Sequence, residues 1–183
     1  MRSSSIHILA GVIAVFMASV SATTLERLSM GDMTDQSTMI VRGTVTSSAG
    51  ELRNGVISTH YQFAVSETWK GSSGTKVDIY VPGGTAQGFL QSVPGAPVLS
   101  PGVEYVIFLW TGPSGRPQII GLSQGLFSVV SDKSGLVYLN RGSVAEMMID
   151  AKTGRPVTDE NVHVPASTLK SFVKKRQAVS VTQ

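Results

Sequence analysis

Cysteine is missing from all 183 residues, so disulfides, thiolate zinc sites, iron–sulfur clusters and thiol nucleophiles are all excluded. Histidine is scarce. Of the three in the chain, His7 lies in the leading segment, leaving His60 and His163 without partners at ligand spacing, so no metal site is expected. The acidic pairs Asp32/Asp35 and Asp159/Glu160 lack the glycine and spacing of a calcium loop and read as surface charge. Charged residues make up only 15% of the chain, with a net charge of +3. Much of the excess sits in Lys170, Lys174, Lys175 and Arg176. That describes a basic tail and not a basic binding face with interleaved aromatics, so no nucleic-acid partner is expected. No glycine-rich phosphate loop is present, because Gly83-Gly84 follows a strand but opens no helix. No cofactor is expected.

The leading residues are the clearest feature that is present. Met1–His7 carry Arg2, Ile8–Met17 run apolar, and Ala18-Ser19-Val20-Ser21-Ala22 are small. This is the pattern of a secretory signal peptide over residues 1–22, with cleavage before Thr23. A membrane anchor needs roughly 20 apolar residues, more than this run supplies. The expectation is export to a periplasm or the exterior, with no stable membrane insertion after cleavage. An exported chain of this size has room for a real core without disulfides.

Strand signals follow. Thr24–Leu28 suggests a short helix capped by Thr24, with Leu25, Leu28 and Met33 inward and Gly31 limiting its length. Thr38–Ser47 is β-branched, with Gly43 marking a bulge or a close backbone approach. Beyond a polar loop holding Asn54-Gly55, Val56–Trp69 alternates, placing Ile57, Tyr61 and Phe63 on one face and His60 on the solvated other. Lys76–Val81 is a further strand. From Pro82 to Gly102 prolines and glycines exclude a regular element over most of the span, and long loops of this kind are commonly binding loops. Val103–Thr111 reads as a central strand covered on both faces. Gln118–Ser131 reads as one long strand kinked at Gly121 and Gly125, and Leu136–Leu139 closes the series. The pattern predicts an all-β domain over residues 23–141, a small antiparallel barrel or sandwich. Residues 142–183 form an irregular extension ending in an amphipathic helix at about 165–177, with Leu169, Phe172 and Val173 inward. That helix docks on the β domain with its cations near the favourable C-terminal end.

Gly121-Leu122-Ser123-Gln124-Gly125 fits G-x-S-x-G, and Asp150 and His163 follow in the order of a serine hydrolase. In that alternative Ser123 attacks an acyl carbon, His163 takes its proton and Asp150 orients the ring. A nucleophile elbow needs a strand before the serine and a helix after it, whereas Leu126–Val130 is another strand signal. Trp69 and Trp110 lie near strand ends and are candidates to rim a pocket with Gly83, Gly84 and Phe89 of the Pro/Gly-rich loop.

Ser37–Val45, Phe63–Gly71, Val77–Val81 and Pro101–Phe108 together resemble a group of uncharacterised exported bacterial proteins. More distantly they resemble netrin-like or tissue-inhibitor-of-metalloproteinase domains. The resemblance implies an OB-like barrel that binds through its face and loops. Those inhibitors begin with a cysteine that reaches the protease zinc, and this chain has none, so that mechanism does not carry over. The expectation is therefore an OB-like antiparallel barrel with a short N-terminal and an amphipathic C-terminal helix. Its function would be a non-enzymatic binding module for a protein or small ligand. A serine hydrolase and an envelope structural domain are the alternatives. Oligomeric state is not readable from these patterns.

Overall fold

Alternating β-branched and aromatic residues build most of the chain into antiparallel strands. The computed structural model describes residues 24–180, so the expected signal peptide lies outside the described residues. The order is β1 (Leu25–Glu26), α1 (Met30–Gln36), β2 (Met39–Arg53), β3 (Val56–Lys70), β4 (Lys76–Pro82), β5 (Gly84–Ala86) and β6 (Phe89–Gln91). There follow β7 (Glu104–Thr111), β8 (Pro117–Ile119), β9 (Leu126–Ser131), β10 (Val137–Arg141), β11 (Met148–Ile149), β12 (Pro156–Val157), β13 (Val162–Pro165) and α2 (Ala166–Ser180).

The main sheet has the order β13-β10-β9-β7-β2-β3-β4, with β8 also paired to β7. β2 and β3 form a long hairpin of 15 residues each, closed by Asn54-Gly55 with φ of 51° and 78°. These two positive φ values are what an Asn-Gly type I′ turn requires, and they carry pairing through residues Ser48–Arg53, expected as loop. The register shifts between Arg42 and Gly43, where a Cβ on Gly43 would lie 2.0 Å from the Ala64 carbonyl oxygen. Gly43 therefore marks both the bulge and the close approach that its position suggested.

The strand β7 is covered on both sides as expected. Tyr105, Ile107 and Leu109 enter a core with Val41, Val45, Tyr61, Phe63, Ile79 and Val81. Val106 and Phe108 enter a second core with Met33, Ile40, Trp69, Phe127 and Leu139, roofed by Leu169 and Val173 of α2.

Several expectations are corrected. The sheet curls so that β4 packs beside β8, but no ladder joins them, and the sheet is not closed into a barrel. β8 has only three residues, begins with Pro117, and pairs with β7 instead. At this seam Arg116 lies 4.3 Å over the Tyr80 ring and pairs with Glu51 at 2.7 Å, so side chains bridge where backbone does not. The Gln118–Ser131 strand is two strands. Gly121 and Leu122, with φ of 60° and 58°, make a tight turn between β8 and β9. The N-terminal helix begins at Met30 with Ser29 as N-cap in a capping box with Asp32, and Gly31 lies inside it. Residues 142–165 are less irregular than expected, since β11 pairs β1 and β12, and β13 adds an edge strand to β10. The C-terminal helix is present but runs on to Ser180, so Lys174, Lys175 and Arg176 precede its last turn. No helix among the described residues is long and apolar enough to cross a membrane.

Candidate functional site

The segment from Pro82 to Gly102 contains no charged residue. Two buried tyrosines anchor its C-terminal half. Alternation in β3 and β7 turns Tyr61 and Tyr105 inward, and their hydroxyls accept from the Leu99 and Ser100 amides at 3.3 and 3.1 Å. Leu99 is buried in the first core beneath them.

The N-terminal half is held by glycine. Gly83 and Gly84 adopt φ of 87° and 117°, and a Cβ on Gly84 would lie 2.2 Å from Thr59 Oγ1. Thr59 Oγ1 donates to the Gly83 carbonyl at 2.9 Å, and the Ile57 amide donates to Gln91 Oε1 at 2.8 Å. Gly50 on β2 leaves room for β5 to lie across it, since a Cβ there would meet the Thr85 carbonyl oxygen at 1.8 Å. β5 and β6 then form a small hairpin, a regular element where none was expected. Its turn is Gln87-Gly88, with φ of 52° and 82°.

On that rigid base the hairpin holds up apolar side chains. Phe89 is 66% exposed, Leu90 78% and, further along, Val98 82%. Exposed apolar side chains concentrated on one surface are a common mark of interaction sites. Phe89 was readable from the sequence as a candidate. Phe89, Leu90 and Val98 do not pin the segment onto the domain; Leu99, Tyr61 and Tyr105 do.

Trp69 and Trp110 do not rim one pocket with this segment. Trp69 is buried in the second core, donates from Nε1 to Glu67 at 2.7 Å, and receives Gln177 Nε2 on its carbonyl at 2.9 Å, so it anchors α2. Its edge lines a groove of about 610 Å³ with Arg42, Glu67, Tyr138 and Lys170. The charges there are already paired, Arg42 with Glu104 at 2.8 Å and Glu67 with Lys170. Burial works against the Glu67 charge, but the bonds from Lys170 and Trp69 outweigh it and hold the carboxyl below its usual range. Trp110 is partly exposed, lies over Gly112, and lines a separate groove of about 400 Å³ with Leu25, Leu28 and Gln118.

Ser123, His163 and Asp150 fall into separate networks. Ser123 sits in the turn between β8 and β9, followed by a strand and not a helix. His163 on β13 stacks on Tyr138 at 4.6 Å and bonds Asn140 through Nδ1. The Asp150 carboxylate accepts from the Thr153 amide and hydroxyl at 2.8 and 2.9 Å, which holds its carboxyl below the usual range. No hydrogen bond among the described residues links the three.

Two polar features were not readable from the sequence. Asp159 is not surface charge: its side chain is 2% exposed and pairs with Arg141 at 2.8 Å. Gln124, the second x of the G-x-S-x-G pattern, is itself a buried residue with both side-chain amide atoms bonded. Neither gives a local pattern, because each partner lies more than a dozen residues away. His60 is also less free than a solvated histidine, bonding Asp78 at 2.7 Å and stacking on Tyr80. No family model and no curated protein matches the chain.

Proposed function

We propose that this is an exported, non-enzymatic binding module whose contact surface is the Pro82–Gly102 segment. The observation that carries the reading is the exposed pair Phe89 and Leu90 beside the turn of a hairpin whose base is braced by Gly83, Gly84, Thr59 and Gln91, in a segment whose far end two buried tyrosine hydroxyls anchor. A rigid β scaffold presenting an uncharged apolar tip avoids the entropic cost of ordering a flexible loop on contact. The partner that fits is a protein surface with an apolar cleft. Such a cleft desolvates two large side chains, which commonly dominate interface energetics.

The test is capture of partners from the envelope and culture fluid of the source organism, comparing the native chain with the Phe89→Ser/Leu90→Ser double variant. Both side chains are exposed, so the variant should fold normally. A partner retained by the native chain at low and high salt and lost by the variant supports the reading. A partner bound equally by both places the contact elsewhere and sinks it.

A further inference from the structure

A second binding feature sits at the opposite end of the chain's logic, where residues 25–28 are gripped almost wholly through their main chain. In an extended strand alternate residues turn their peptide groups to opposite edges. On one edge the Leu25 and Arg27 amides donate to the Met147 and Ile149 carbonyls at 2.9 Å each, in the parallel register of β1 with β11. On the other edge a side chain takes the place of a strand. Gln124 Oε1 accepts from the Leu28 amide at 2.9 Å, and Gln124 Nε2 donates to the Glu26 carbonyl at 2.9 Å.

Gln124 is only 1% exposed, and a buried primary amide is costly unless its donor and acceptor are both used. Its placement is fixed from behind. Its amide donates to the Gly121 carbonyl at 3.1 Å, and its carbonyl accepts from Arg141 Nη1 at 3.2 Å. Arg141 in turn holds Asp159, whose second oxygen accepts the Val144 amide at 3.0 Å, tying down the segment that carries Met147–Ile149. A preformed two-edged slot results, and the only side chain from residues 25–28 that packs against a core cluster is Leu28. Glu26 and Arg27 point to solvent.

Recognition by main chain and one leucine does not distinguish a strand arriving from the same chain from an identical strand arriving from another. Residues 25–28 join the body through Ser29, an extended residue with φ −69° and ψ 162° that caps α1. We propose that residues 25–28 are an exchangeable strand, and that a second copy of this chain can supply the same segment to the Gln124 slot. Exchange of an identical element is a low-cost route to a dimer, because every bond broken in one chain is remade in the other.

The test is binding of a fluorescent, acetylated peptide of residues 23–29 to the purified chain. Arg27→Pro removes the donor to Ile149 and restricts the strand backbone at residues 26 and 27, while the side chain it replaces is exposed, so it loosens the resident strand and leaves the slot intact. Peptide affinity is expected to rise by about tenfold or more in Arg27→Pro, since the slot is then open for a larger fraction of the time. The second substitution Gln124→Ala should abolish that gain, with Gln124→Met, which keeps the side-chain length and loses both bonds without adding charge, as the milder variant. Amide exchange at Val106–Phe108 reports that the core is unchanged. Peptide binding that is absent from Arg27→Pro, or that survives loss of Gln124, overturns the proposal. Phe89→Ser/Leu90→Ser should have no effect on it.

Discussion

At the scale of single residues the least dispensable side chain is Arg141. It lies between Asp159, the Gln124 carbonyl and the face of Phe127, with its Nε buried and unpartnered. Removing one member of a buried ion pair leaves the other charge without compensation. Arg141→Ala is therefore expected to lower the unfolding free energy by about 3–5 kcal/mol, measured by urea denaturation. Lys170→Ala, which breaks a pair whose members are both substantially exposed, should cost under about 1 kcal/mol. Equal losses from the two variants would refute the distinction. Titration sets a second expectation. Hydrogen bonds from Ser29 lower the Asp32 carboxyl, the Arg176 guanidinium lowers Asp35, and the bonds to Glu67 outweigh its burial. Carboxyls lowered in the folded state contribute stability that is present above their unfolded range and is lost as pH falls through the folded values. The melting temperature should hold steady near neutrality and drop below about pH 5. Asp35→Asn should flatten part of that acid slope, and an unchanged slope would contradict the assignment.

At the scale of elements, α2 shows what sequence spacing can and cannot deliver. Leu169, Phe172 and Val173 announced an amphipathic helix, and Leu169 and Val173 are buried, yet Phe172 remains 40% exposed. Helical period identifies the face but not its width. Leu169→Ala should cost about 2–4 kcal/mol, and Phe172→Ala distinctly less, when both are compared by denaturant midpoint. The strands β2, β3, β4 and β7 were legible because alternation and β-branching are local. The breaks were not. Gly121 and Gly125 suggested a bend in one strand, and it took the partner β7, which pairs with both β8 and β9, to show a turn between two strands. Likewise β1, β11 and β12 are two-residue strands whose existence depends on each other, so no window of sequence contains their signal.

For the whole molecule, one curled antiparallel sheet separates two cores and leaves its β4–β8 seam bridged by Arg116 in place of a ladder. The Pro82–Gly102 segment could be recognised from its prolines and glycines. Which of its apolar residues anchor and which project could not, because that depends on the Tyr61 hydroxyl, 38 residues before Leu99, and on the inward turn that pairing in β7 gives Tyr105. The segment's exposed tip is the centre of the account. Hydrogen–deuterium exchange on the chain, alone and bound to a captured partner, tests it most directly. The account predicts new protection across Ala86–Gln91 and around Val98, with the α2 and β10 amides unchanged. Protection confined to α2, to the groove beside Trp69 or to the outer edge of β4, with residues 86–98 untouched, would contradict it.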